Sequence, residues 1–336
     1  MAYLLMKNTR YHYNNLVWYL RGFESLSRFY ATMRIHKQKN KMKNLSPSFQ
    51  INNVPTLEKL LANSSHDDVF IENSVVQMAD LIGMPTRKGL EKGIVCGGAL
   101  VNVVSNSYGH LPNELFFIEA ERKLIDADIY YASRSMNRNN RSFAVDYILA
   151  DDRYKIEVKG EKDILFPMLR FTNSYDGSNK TSGSFGMYRK VCDNGLCIAQ
   201  TQIGFSVKHT GSIAEIVLPK LGDLVASFMN NEFYELKNKF DVLAEAKVLN
   251  VEKYVQDVNK KLGLIKYESS DKNPAPSLNA RFVLDVVSRE TRELNTKPNK
   301  WIVYNAFNEL LHNKLQKTFD QQKQIDEKLF DLILAS

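Results

Sequence analysis

Cysteine is scarce: the chain has three (Cys96, Cys192 and Cys197) in 336 residues. So few thiols exclude a disulfide-stapled secreted scaffold and suit a reducing compartment, where they are most simply free thiols in or near the core. Long apolar runs are missing too. No stretch could span a bilayer, and none joins an apolar segment to a small-residue cleavage site, so a cytoplasmic protein without a membrane partner is expected. Internal repeats and sustained heptads are lacking, which removes solenoids and long coiled coils. The spacing of a zinc site is lacking as well. Four residues separate Cys192 from Cys197, with His209 twelve positions further on and no evident fourth ligand, so neither a metal nor another cofactor is expected. No serine or cysteine sits in a recognisable nucleophile motif, and the balance leans away from an enzyme.

What is present is enough hydrophobic sequence, 44% of the residues, to bury a sizeable core, and 25% charged residues to keep it soluble. The formal charge of +7 favours acidic partners such as nucleic acid. Much of it is local: residues 1–50 hold five lysines and four arginines against the single acid Glu24, so the remainder is close to neutral. Residues 1–45 read as a basic, aromatic extension. Leu16, Tyr19, Leu20, Phe23, Leu26 and Tyr30 could line one face of a helix there, suited to a nucleic-acid or membrane surface. In a competing reading Met42 is the natural start, and the residues before about 45 are dispensable and loosely ordered.

Periodicity divides the rest. Residues 46–98 read as short helices, TLEKLLAN and ENSVVQMADLIGM, capped by Thr56 and Asn73. Residues 99–212 read as a β-rich core: a buried strand Ala99 to Ser105, a helix opening at Pro112, then ADIYYASRSM, RSFAVDYILA, RYKIEV, ILFPMLRFTNS, FGMYRKVC and GFSVKHT as strands. Residues 213–336 read as helical. Pro219 is expected in a first turn or at a kink, Asn250 as a cap and Gly263 as a stop. The expected fold is α+β: a mostly antiparallel sheet with helices packed on one face and a helical C-terminal portion, all in one compact domain.

Two constellations could carry chemistry. In DYILADDRYKIEVKG, alternation places Glu157 and Lys159 on one strand face, and Asp146 or Asp151 could add a carboxylate to a metal-dependent nuclease site. A half-exposed strand gives the same letters, because its polar face meets water. The second is FTNSYDGSNKTSGSFGMYRKVCDNGLCIAQ, residues 171–200. Asn173 and Asp176-Gly177 can close a tight turn, while Arg170, Lys180, Arg189, Lys190 and Lys208 stand among Tyr175, Phe185 and Tyr188. Cations for phosphates and rings for bases are what a single-strand groove uses. A hairpin with a long loop is the competing account.

The order RFTNSYDGS, GMYRKVCDNGL, FSVKHTGSI and KWIVYNAFNELLHN resembles the signature blocks of a phage and plasmid protein family, the domain of unknown function 932. Asn173, Ser174, Asp176, Gly177 and Ser178 match the first block, and Arg189, Val191, Cys192, Asn194 and Leu196 the second. His209, Thr210 and Gly211 match the third, and Trp301, Tyr304, Asn305, Ala306, Glu309 and His312 the last. Tyr175, Gly195 and the Asn299-Lys300 pair before Trp301 depart from the family pattern, which has a histidine at the first place and a small polar residue at the second. The resemblance runs from about Ala99 to the C-terminus and implies a mobile-element setting but no reaction. With it, the favoured reading is a non-enzymatic DNA-binding protein of phage or plasmid replication or recombination, holding single strands and forming homo-oligomers. Arg170, Arg189, Lys190, Lys180 and Lys208 would meet phosphates and Tyr175 and Tyr188 would stack. The rivals are the nuclease of Asp146, Asp151, Glu157 and Lys159, and a protein-binding host-takeover or virion-associated factor.

Overall fold

Alternation of residue type organises the middle of the chain into strands whose two faces differ in chemistry. In a computed structural model, residues 68–129, 131–149, 154–158, 163–189, 195–196, 204–229, 234–264 and 276–336 are described. The larger sheet contains β4 (Ala132–Arg138), β5 (Ser142–Ile148), β6 (Ile156–Glu157), β7 (Ile164–Ser174), β8 (Thr181–Arg189), β9 (Gly195–Leu196) and β10 (Gly204–Val207). Its order is β10-β8-β7-β5-β4, with β6 paired to β7 and β9 to β8. Every pairing is antiparallel.

One face of this sheet is apolar. Phe143, Val145 and Tyr147 on β5 alternate into register with Leu169 and Phe171 on β7, followed by Phe185 on β8 and Phe205 on β10. Helix α2 (Asn113–Asp126) covers it with Phe116, Phe117, Ala120 and Leu124, and α3 (Ile213–Met229) with Val217, Leu221, Leu224 and Phe228. Phe116 meets the Phe171 ring edge-on at 5.9 Å. Gly183 permits this closeness: a Cβ there would stand 2.5 Å from Phe205 and 2.8 Å from Phe171.

The opposite face is polar at one end, with Arg134, Asp146, Arg170, Thr172, Ser182 and Ser184 in register. At its other end Ala132, Ile148, Phe166, Met168 and Tyr188 form a second buried cluster. Helices pack on the apolar face, as expected of this α+β fold. The chain between α7 (Lys300–Asn313) and α8 (Phe319–Ala335) meets the polar end. There Arg138 donates to the Lys317 carbonyl at 2.5 Å and to Gln322 at 3.1 Å, and lies 3.8 Å over the Phe319 ring.

The segment before the large sheet also differs from expectation. Asn73 caps no helix: Asn73–Gln77 is strand β1, which pairs with β2 (Lys92–Cys96) and through it with β3 (Ala99–Val104). Two adjacent valines suit a pleated strand, and only Met78–Ile82 form a short helix, α1, before Gly83 turns left-handed at φ 69°. β3 is half-exposed rather than buried, as an outer strand of a three-stranded sheet. The residues before 68, including the extension and the Thr56 helix, lie outside the described residues. All described residues belong to one compact unit, Pro55–Ser336.

After β10 come α3, α4 (Tyr234–Glu245), α5 (Val251–Lys261), α6 (Leu278–Glu293), α7 and α8. Asn250, Ser277, Asn299 and Thr318 each cap the helix that follows by accepting a backbone N–H. Gly263 follows α5 with φ 67°. Pro219 lies inside α3, beyond the first turn, where it removes one backbone donor. Every residue from Trp301 to Leu311 is buried, because α7 is packed between α4, α6 and α8. No helix among the described residues is long and apolar enough to cross a membrane.

Candidate functional site

The polar turn read from the sequence is a built structure. Asp176 accepts from the Ser178 N–H at 2.9 Å, and Gly177 takes φ 74°, which its missing Cβ allows. Ser174 closes the base by donating to the Asn179 carbonyl at 2.8 Å. Beneath it, the Asn173 amide donates to the Leu111 carbonyl and to Asn113, both at 2.8 Å. The Thr181 hydroxyl lies between Asn173 Oδ1 at 3.0 Å and His209 Nε2 at 3.3 Å. His209 Nδ1 faces the Gly109 carbonyl at 3.2 Å, and the ring stacks on Tyr108 at 5.2 Å. Burial holds the imidazole below its ordinary pKa. Thr210 bridges to Tyr108, and the Gly211 N–H donates to the Ser107 carbonyl at 3.0 Å. Two signature blocks thus lock the β7–β8 hairpin onto the loop before α2. They form a frame rather than a surface.

Tyr175 and Tyr188 correct the stacking expectation. Tyr175 is fully buried, its hydroxyl accepting from the Asn113 N–H at 2.8 Å and its ring packed on Phe143. Tyr188 is buried in the second cluster. Neither ring offers a face to a base. A phenol can end a strand in the interior when its hydroxyl finds a partner, and sequence cannot tell that from an exposed ring.

The arginines are corrected likewise. Arg189 is 0% exposed; its Nε donates to Asp163 at 2.5 Å and its Nη1 to Glu290 at 2.8 Å. Trp301 donates its indole N–H to the same Asp163 oxygen at 2.9 Å, which explains that signature residue. Arg170 is 5% exposed and grips Asp146 at 2.5 and 2.7 Å, with Arg134 on the same carboxylate at 2.8 Å. Burial would raise Asp146, but Arg170 and Arg134 outweigh it and hold the carboxyl at about 2. Charges neutralised inside the protein cannot meet phosphates at the surface.

The nuclease constellation is not assembled among the described residues. Asp146 stands opposite Arg170 and Glu157 opposite Ile164. Six positions along β7 separate them by roughly 20 Å. Glu157 is exposed and pairs with Lys155 at 2.5 Å. No described group of three His, Cys, Asp or Glu side chains could hold a metal. Asp151, Lys159, Lys190, Cys192 and Asn194 lie outside the described residues.

The last signature block completes a polar layer between the sheet and α8. Tyr304 donates to Asp326 at 2.9 Å, and Asn305 turns back on the Trp301 carbonyl at 2.8 Å. Burial pushes Asp326 up to about 7, against the hydrogen bonds it accepts. His312 lies beside Arg170, Arg134 and Arg138; burial and those charges push it down to about 3. A narrow cleft opens here, lined by Arg170, Thr172, Ser182, Ser184, His312 and Lys323 with the start of α8; its free space is about 10 Å³, room for about one water. Sequence reasoning missed Arg134, Arg138, Asp163, Glu290 and Asp326. The signal available for two of them was alternation on β4, which puts Arg134 and Arg138 on the face of Asp146.

Lys180 and Lys208 are the expected cations that the structure leaves exposed among the described residues. Lys208 follows Val207, which pairs with Thr181, so the two lysines leave neighbouring strands at the same end of the sheet.

The fold and these networks define the class: an α+β protein of antiparallel sheets with a C-terminal helical region, whose polar signature residues are largely built into its interior. The family model for a domain of unknown function (DUF932) matches residues 100–330, and the chain belongs to that family. No curated protein and no solved structure matches it.

Proposed function

We propose that this chain binds DNA through its sugar-phosphate backbone without cutting it, in the replication or recombination of a phage or plasmid. The observation that carries the reading is the pair Lys180 and Lys208, exposed side by side and in no ion pair with a described residue. Arg141, exposed in the turn before β5, lies at the same end, its carbonyl accepting the Tyr175 N–H at 2.7 Å. Asp176 and Asp320 temper the field there, so binding is weak and salt-dependent. With the tyrosines buried, base stacking gives no reason to prefer single strands.

The test is an anisotropy titration of labelled single- and double-stranded oligonucleotide at two salt concentrations. Wild type is expected to bind at low salt, and Lys180→Glu with Lys208→Glu to weaken binding and reduce the salt slope by roughly 1.5. Added magnesium leaves the DNA whole. No binding at low salt, or a double variant identical to wild type, removes the reading.

Self-association is the companion proposal, the partner being a second copy of this chain. Val75, Leu81, Ile82, Met84, Leu90 and Leu100 are exposed on and around the small sheet, and apolar side chains gathered there favour a protein contact. Sedimentation of wild type against Leu81→Glu with Met84→Glu checks it: a monomeric wild type ends it.

A further inference from the structure

The start of α8 brings cations of its own to those of the sheet. Arg138, at the end of β4, donates to the Lys317 carbonyl and to Gln322, while the Lys180 N–H donates to the Asp320 carboxylate at 3.0 Å. These bonds hold Lys317 and Lys323 at the end of the sheet where Arg141, Lys180 and Lys208 are exposed. Lys317 and Lys323 are half-buried, and neither makes an ion pair with a described residue. Asp176, Asp320 and Glu327 temper this face but are outnumbered, so its field is positive.

Two further observations say what such a face can hold. The backbone donors at the start of α8 are spent: the Asp320 N–H donates to Asn179 at 3.0 Å, and the Gln321 and Gln322 N–H groups donate to Thr318. Contact with an anion therefore falls to the side-chain cations. Nor does an exposed ring stand among the described residues of this face: Tyr175 and Phe319 are buried and Tyr108 is half-buried. Single strands are held largely by stacking bases on rings, whereas contact with phosphates alone gains from charge density. A duplex carries one charge per ~1.7 Å of axis, twice that of one strand, and releases more counterion for each phosphate met.

Resting on the DNA-binding reading, we propose that the partner of this face is duplex DNA, whose phosphates meet Arg141, Lys180 and Lys208 from the sheet and Lys317 and Lys323 from the start of α8. The sheet end is broad enough for it. Lys208 follows β10 and Arg141 precedes β5, and the order β10-β8-β7-β5 sets them three strand spacings apart, roughly 14 Å. That is comparable with the ~12 Å major groove between the two backbones. Ammonium and guanidinium groups that touch only phosphates read no bases, so the contact is independent of sequence and sensitive to salt.

Anisotropy titrations with a duplex and a single strand of one sequence and length test the proposal. At low salt the duplex is expected to bind roughly tenfold tighter. Lys317→Glu with Lys323→Glu should weaken duplex binding and lower its salt slope by roughly 1.8, since each lysine lost removes a phosphate contact. Lys317→Gln with Lys323→Gln should act in the same direction with Tm unchanged, which separates a lost contact from a disturbed helix. Lys253→Glu is the control and should bind like wild type: the adjacent Tyr254 bonds Ser336 at the far end of α8, about 25 Å from its start. A single strand bound as tightly as the duplex, or Lys317 and Lys323 variants that bind like Lys253→Glu, overturns the proposal. The DNA-binding reading survives either result if Lys180→Glu with Lys208→Glu still weakens binding. A wild type that binds neither ligand ends both.

Discussion

Replacing Arg189 by methionine should destabilise the protein far more than it weakens any ligand. The guanidinium is fully buried between Asp163 at 2.5 Å and Glu290 at 2.8 Å, with the Trp301 ring 5.8 Å away. Methionine fills much of the volume but strands two sealed carboxylates. Breaking a buried ion pair from one side costs about 3–5 kcal/mol. Burial already raises the pKa of Glu290, so that acid can escape by taking a proton, which places the expected loss near the lower bound, about 3 kcal/mol at neutral pH. For a unit of this size that is a fall in Tm of roughly 6–12 °C. Urea unfolding followed by tryptophan fluorescence reads the loss, since Trp301 sits in the network. Adding Asp163→Asn and Glu290→Gln to Arg189→Met should recover most of it, because a neutral interior no longer needs the cation. An Arg189→Met protein within about 1 kcal/mol of wild type that has lost oligonucleotide binding would return this arginine to the surface and refute the reasoning.

Asp326 holds its proton to about pH 7 in the folded state and releases it near 3.8 when unfolded, so the folded form binds the extra proton between those values. Stability from this group therefore falls as pH rises from 4 to 7, by at most roughly 4 kcal/mol, and Asp326→Asn should flatten that slope in unfolding titrations. Asp146 behaves oppositely: its carboxyl, held at about 2, supports the fold above pH 3.8 and loses that support as pH falls toward 2. Asp146→Asn should abolish this acid-limb loss of about 2 kcal/mol while lowering stability at pH 7. Gly183→Ala would drive a methyl into Phe205, Phe171 and Leu224, costing about 1–3 kcal/mol by denaturant midpoint. Thr318→Ala removes the capping box with Gln321 and should cost about 1 kcal/mol, read in the same way.

How much of this was legible beforehand depended on the kind of signal. Strands β5, β7 and β8 and the helices from α5 onward are written in local periodicity and caps, so RSFAVDYI, ILFPMLRFTNS and the Asn250 cap could be read off the chain. The split of ENSVVQMADLI into β1 and α1 could not, because a short mixed segment has no decisive period and pairing with β2 settles it. The candidate residues show the same limit. Asn173, Asp176 and Gly177 declared a turn through their own backbone chemistry. Arg170 and Asp146 were each visible, yet assigned to different sites, since only register places them opposite one another.

Sequence alone therefore determined the α+β class, the family, the elements with strong periods and the polar turn of the hairpin, because each rests on interactions between near neighbours. Tertiary structure decided which charges are spent. Arg189 and Glu290 lie 101 positions apart and Tyr175 and Asn113 lie 62 apart. Whether a cation or a phenol faces water or a buried partner is a property of such distant pairings, which the local pattern does not carry.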